Sequence, residues 1–148
     1  MSASLYDQDL YSWAMQTARQ VREHRFAEID CVHLAEELES MGKTELRALE
    51  SRLVVLLAHL LIWEHQPGNR TKSRRWTLIE QRKRIGRLLD DSPSLRSKLP
   101  DLIADAYDSA LRWAADETGM EEGDFPPACR YSIEQVMDTG FYPDTVIS

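Results

Sequence analysis

The sequence predicts an all-α fold: a single-domain helical bundle of about five to six helices around a central apolar helix at about residues 44–65. Three observations carry that expectation. Apolar residues recur three and four positions apart in every long segment. Proline and most glycines fall at the joints between those segments rather than inside them. No alternating run of β-branched residues is long enough for a strand, and the one Val-Val pair, Val54-Val55, lies inside a leucine-rich stretch. A chain of 148 residues suits one domain and buries roughly two-thirds of its unfolded surface. It needs neither disulfide nor metal for stability. Hydrophobic and charged fractions of 43% and 29% exclude a disordered chain.

The first helix is expected from Asp7 to His24, with Asp7 or Asp9 capping its free N–H groups. Leu10, Trp13, Ala14, Thr17 and Val21 form its apolar row, and Arg19, Arg22 and Arg25 gather where cations complement the macrodipole. Residues 26–29 connect it to a second helix capped by Asp30, with Leu34, Leu38 and Met41 on one face. A new register, Leu46, Leu49, Leu53, Leu56, Leu60 and Trp63, starts after Gly42, so a break is expected there. Beyond Arg52 this helix is apolar all round, as a helix at the centre of a bundle must be. Pro67-Gly68-Asn69 stops it.

The next helix runs from about Ser73 to Leu89, burying Leu78, Ile85, Leu88 and Leu89 with Trp76 and Ile79 at one edge. Pro93 suits the first position of a short turn capped by Ser92. A helix over about 100–117 follows, with Ile103, Ala106, Tyr107, Ala110, Trp113 and Ala114 inward and Gly119 as its left-handed end. Ser132 and Gln135 form a capping box for a last short helix.

Cys31 and Cys129 stand alone, without the spacing of a zinc ribbon or a redox pair, and suit a reducing compartment. The N-terminus lacks the basic start and apolar core of a signal peptide. The longest apolar run, Leu53 to Trp63, has 11 residues, where a membrane span needs about 20. A cytoplasmic protein without membrane contact is expected.

The order of the pieces is itself familiar. Leu5-Tyr6-Asp7 precedes the Trp13 helix, followed by Leu34-Ala35-Glu36-Glu37-Leu38-Glu39-Ser40-Met41-Gly42 and Leu56-Leu57-Ala58-His59-Leu60-Leu61. Gln81-Arg82, Ser92-Pro93-Ser94-Leu95, Glu117-Thr118-Gly119 and Phe125-Pro126 complete the series. Over nearly its whole length the chain resembles the bacterial domain-of-unknown-function family number twenty-nine. Ile62 departs from the lysine expected there. The resemblance implies a small helical protein and assigns no catalytic residue.

Two groups of residues could carry chemistry. His33, Glu36 and Glu37 share a helix face, and His59 lies on the most apolar helix, where a buried carboxylate from Glu36 or Glu37 would satisfy its ring. Helical bundles build metal sites from such pairs, which keeps a metal-dependent or other enzyme as an alternative. The order here is the reverse of the di-iron Glu-x-x-His pair and occurs once, so a hydrogen-bonded core histidine is favoured, and neither metal nor cofactor is expected. His24 and His65 read as helix-terminal cations, and no serine has a nucleophile-elbow setting.

The second group is the basic arm, residues 70–87. It carries eight cationic side chains against the single acid Glu80, a window of +7 in a chain of −7, so the other 130 residues sum to −14. Arg70, Lys72, Arg74, Arg75, Trp76 and Arg82 are the candidate partner-binding residues. Arginines beside an aromatic can track phosphates and stack on bases, but the overall acidity disfavours nucleic acid. The competing role is internal: pairing with the Glu36/Glu37/Glu39 face, or covering apolar neighbours with aliphatic stems. The favoured function is a non-enzymatic interaction module meeting an acidic protein partner, and the apolar central helix leaves room for a homodimer.

Overall fold

In the computed structural model, which describes residues 4–144, helices account for every regular element and no strand forms among those residues. Six α-helices follow in order: α1 (Leu5–Gln8), α2 (Leu10–Arg22), α3 (Cys31–His65), α4 (Lys72–Asp91), α5 (Leu99–Thr118) and α6 (Ile133–Met137). Tight 3₁₀ turns at Phe26–Glu28, Pro67–Asn69, Pro93–Lys98 and Glu122–Asp124 occupy the joints. No helix among the described residues is long and apolar enough to cross a membrane.

The chain divides into two compact units, residues 1–44 and 45–148. The first holds α1, α2 and the opening turns of α3. Asp9, not Asp7, caps α2 through its Ser12 N–H, and the preceding residues form the separate short α1 behind the Ser4 cap. α2 ends two residues earlier than the sequence suggests, because His24 adopts φ 57° and turns the chain away. Tyr6 sits at the heart of this unit, with its ring edge-on to Trp13 at 4.9 Å and stacked on His33 at 4.1 Å.

The second unit is organised by the rest of α3. Leu49, Leu53, Leu56, Leu57, Leu60, Leu61 and Ile62 are fully buried there, facing Leu78, Ile85 and Leu89 of α4 and Ile103, Ala106, Tyr107, Ala110 and Ala114 of α5 in one core. Phe125 and Val136 close it from the C-terminal segment. Gly119 ends α5 at φ 74° with its N–H on the Ala115 carbonyl, and the Ser132–Gln135 capping box forms as expected. Ser92 makes no side-chain cap on the Pro93 turn.

The expected break at Gly42 does not occur: α3 runs through it without interruption. A glycine costs a helix only about 1 kcal/mol relative to alanine, and the flanking Met41, Lys43, Glu45 and Leu46 are good helix formers with no proline among them. The change of apolar register marks instead where one helix leaves the first unit and enters the second. Nothing lies within 4 Å of a Cβ placed at Gly42. Gly42→Ala is therefore expected to stabilise the protein by about 0.5–1 kcal/mol, read as a raised urea midpoint with an unchanged slope.

Candidate functional site

The basic segment is α4 and the turn before it. Thr71 caps the helix by accepting from the Arg74 N–H. Four of the five arginines and lysines first in line for a partner are engaged with the scaffold. Arg70 donates to the Trp63 carbonyl at 2.8 Å and lies over that indole. Arg75 lies over both Trp63 and Tyr142, 5.7 and 5.1 Å from the ring centroids. Such stacking suits a guanidinium, which is weakly hydrated on its faces.

Arg82 is only 3% exposed. Its Nε donates to the Val136 carbonyl at 2.9 Å and its Nη2 to the Gln135 carbonyl at 3.1 Å, with Tyr142 beneath it. Burial lowers its pKa, against the opposing pull of Tyr142 and Asp138. The side chain joins α4 to the C-terminal end of α6, where unpaired carbonyls welcome a cation.

Arg74 reaches three ways: Nε to the Asn69 carbonyl at 3.0 Å, Nη1 to His59 Nδ1 at 2.6 Å and Nη2 to Glu117 at 3.2 Å. The expected partner of His59, a carboxylate of Glu36 or Glu37, is thus replaced by a guanidinium. His59 is half-buried, on the side of α3 next to α4, and Trp113 meets its ring edge-on at 6.0 Å. Glu117 completes the cluster by also accepting from Trp113 Nε1 at 3.0 Å. Burial lowers the His59 pKa, and the Arg74 charge adds to that against the smaller pull of Glu117. Burial alone would raise Glu117, but the hydrogen bonds from Arg74 and Trp113 outweigh it and hold the carboxyl below its usual range.

The other members of the expected polar core site gather around Tyr6 in the first unit. His33 Nδ1 pairs with Asp30 at 2.5 Å, and that hydrogen bond raises the His33 pKa. The Tyr6 hydroxyl donates to Glu37, which pushes the phenol up to about 12. Glu36 is exposed. No group of three or more His, Cys, Asp or Glu side chains among the described residues is arranged to hold a metal ion.

Among the exposed residues of α4, which also include Ser73, Arg75 and Arg84, five fall in one row. Lys72, Trp76, Ile79, Lys83 and Arg87 follow at i, i+4, i+7, i+11 and i+15, the spacing of one helix face. Trp76 is 69% exposed, and among the described residues Lys72, Lys83 and Arg87 form no ion pair. Beside the row, a shallow recess of about 330 Å³ is lined by Trp76, Thr77, Glu80, Gln81 and Arg84. Its acid is neutralised locally: Glu80 accepts from Arg84 at 2.6 Å and is held below its usual range by that bond. Ile79, Lys83 and Arg87 were not among the candidate partner-binding residues. The signal was the helical period counted from Trp76.

Sequence reasoning also missed a buried acid. Glu64 is almost fully buried and accepts from the Tyr131 hydroxyl at 2.8 Å. Burial first, then that hydrogen bond, pushes the Tyr131 phenol far up. Close by, a cleft of about 440 Å³ is lined by Ile103, Tyr107, Asp108, Cys129, Tyr131 and Ile133 among others. The pairing spans 67 residues, so no local spacing announces it.

The histidines dictate a pH response. His59 has a folded pKa below its unfolded value of about 6.5, so the unfolded chain binds its proton first. Its contribution is complete above that pH and is lost as pH falls towards the folded pKa. His33, with its raised folded pKa, works in the opposite sense: its contribution is present below about 6.5 and fades as pH rises through the folded value. The melting temperature of His59→Gln, which keeps an acceptor for Arg74, should fall less than that of the wild type between neutral pH and pH about 5.5. Identical profiles would show that the His59–Arg74 bond carries none of the acid sensitivity.

Comparison with known proteins adds one match. No curated protein and no solved structure matches the chain. A family model does, over residues 5–142, which takes in all six helices and both the Arg74–His59–Glu117 cluster and the exposed row of α4. The chain belongs to the family described as the domain of unknown function DUF29.

Proposed function

We propose that the protein is a non-enzymatic interaction module that presents the exposed row of α4 to an acidic protein partner. The observation that carries this reading is Trp76, a large aromatic standing 69% exposed between cations that have no ion pair among the described residues. Interfaces draw their energy from such anchors, with tryptophan and arginine foremost. Lys72, Lys83 and Arg87 would steer an acidic surface towards it. The basic arm of the sequence is thereby divided: Arg70, Arg74, Arg75 and Arg82 serve the fold, and the interaction falls to Lys72, Trp76, Ile79, Lys83 and Arg87.

A catalytic role for His59 is disfavoured because its Nδ1 is already engaged by Arg74. Nucleic acid is the less favoured occupant of α4, since the chain as a whole is −7 and its row offers a single aromatic for stacking. Two free thiols, Cys31 and Cys129, support a cytoplasmic setting.

The test separates surface from scaffold. In Trp76→Ala and in Lys83→Glu/Arg87→Glu the unfolding free energy should stay within about 0.5 kcal/mol of the wild-type value. Salt-sensitive co-purification of an acidic protein should disappear. Arg82→Ala is the contrast: it strips one buried and one partly buried carbonyl of their donor, should cost on the order of 1–3 kcal/mol, and should leave the partner bound below its melting temperature. Unchanged co-purification by both surface variants would refute the reading. Tighter binding of a single-stranded oligonucleotide than of any protein would replace it.

A further inference from the structure

The second unit holds a cleft that plays no part in the reading of α4. It measures about 440 Å³ and lies between the N-terminal half of α5 and residues 127–133. That size falls in the range of about 300–1,000 Å³ typical of small-molecule sites. Ile103, Ala104, Ala128 and Ile133 line it together with Tyr107 and Tyr131, so its walls are mainly apolar.

The donors of the cleft are already spent. The Tyr107 hydroxyl donates to the Pro126 carbonyl at 2.5 Å, the Tyr131 hydroxyl to Glu64 at 2.8 Å, and the Cys129 thiol to the Tyr131 carbonyl at 3.7 Å. Each of these groups has one proton to give, and each proton is committed to the chain. Burial pushes all three pKa values up, Tyr107 to about 12, so none of them is charged at neutral pH. Ser132 accepts from the Gln135 N–H and keeps one hydroxyl proton. The other lining side chains offer acceptors or carbon.

The charge at the rim has one sign. Asp108 is the only charged residue lining the cleft among the described residues, and it stands exposed in no ion pair among them. Asp101 and Asp105, seven and three positions earlier on the same side of α5, are exposed too. Arg130 lines the adjoining recess with His65 and Asp124. Its charge is felt at Tyr107 less than the opposite effect of Glu64. The Leu99 N–H at the start of α5 is taken by the Arg96 carbonyl. An anion would meet like charge here and few donors. An ammonium group would meet a carboxylate, free acceptor lone pairs and two aromatic rings, all of which attract a cation.

We propose that this cleft binds a small organic amine in its protonated form, with the ammonium group at Asp108 and the apolar body against Ile103, Tyr107 and Ile133. The site shares no residue with the exposed row of α4, so each can fail without the other.

The probe is 2-phenylethylamine, titrated calorimetrically into the full chain at neutral pH beside its neutral and anionic counterparts, 2-phenylethanol and 3-phenylpropionate. The amine should bind once per chain and at least about 10-fold more tightly than the alcohol, since a hydrogen bond to a charged group contributes that factor or more. The acid should not bind. Asp108→Asn should remove the advantage and leave amine and alcohol alike. Ala104 is exposed on the cleft wall, so Ala104→Trp should fill the space and abolish binding of both, with the melting temperature unchanged. Occupancy is read separately at Cys129. Under saturating amine its alkylation by iodoacetamide should slow, while the exposed Cys31 reacts as before. Absence of saturable amine binding overturns the proposal, and so does equal affinity for the alcohol or tighter binding of the acid. An unchanged amine affinity in Asp108→Asn overturns it as well. Binding that leaves Cys129 equally reactive puts the amine elsewhere and has the same consequence.

Discussion

Burial of α3 on nearly every side between Leu53 and Glu64 is the constraint to which the second unit answers. Each fully buried leucine contributes about 1.5–3 kcal/mol, and only neighbours on several flanks can supply that cover. α4 offers Leu78, Ile85 and Leu89, while α5 offers the small side chains of Ala106, Ala110 and Ala114 beside Ile103 and Tyr107. The C-terminal segment supplies Phe125 and Val136. A polar atom admitted to this helix needs a partner, because an unmet one costs on the order of 1–3 kcal/mol. Glu64 finds it in Tyr131 and His59 finds it in Arg74.

That requirement sorts the charges of α4. Arginines on the α3 side, and those near the C-terminal segment, become hydrogen-bond donors to carbonyls and to His59, or lie over Trp63 and Tyr142. Guanidinium chemistry suits this: five donors in a plane, two weakly hydrated faces and a charge that persists on burial. Both lysines of the segment, Lys72 and Lys83, are left on the outer row with Arg87. Arginine is found on both sides of α4, but the residue of the segment that is buried among carbonyls is an arginine, Arg82, and neither lysine is.

Periodicity made the helices legible: α4 and α5 lie within two residues of their expected limits, and α6 starts behind its expected Ser132 cap. The leucines of α3 fall inside as expected. Gly42 was misread because a change of apolar register and a helix end look alike in one dimension, and only the weak penalty of glycine distinguishes them. The site was harder to read. Leu10 and Val21 share a row with Trp13 and Thr17 by spacing, yet only Trp13 and Thr17 are buried. His59 calls for a polar neighbour, but choosing Arg74 over Glu37 depends on which helix lies beside it. Arg82 was visible as a charge near a tryptophan, whereas its acceptors, Gln135 and Val136, lie 53 and 54 residues away.

The Arg82 contact also has a direction in time. α4 leaves the ribosome some fifty residues before the α6 carbonyls it serves, and synthesis at about 5–20 residues per second makes that a delay of seconds. Throughout that interval the guanidinium has no protein acceptor at its final position and must stay hydrated, so this part of the core stays wet until residues 133–137 emerge. Completion of the second unit is thereby tied to the arrival of a five-residue helix too short to persist alone. A chain halted before that point would carry a basic, partly opened surface, the kind of nascent species that chaperones hold.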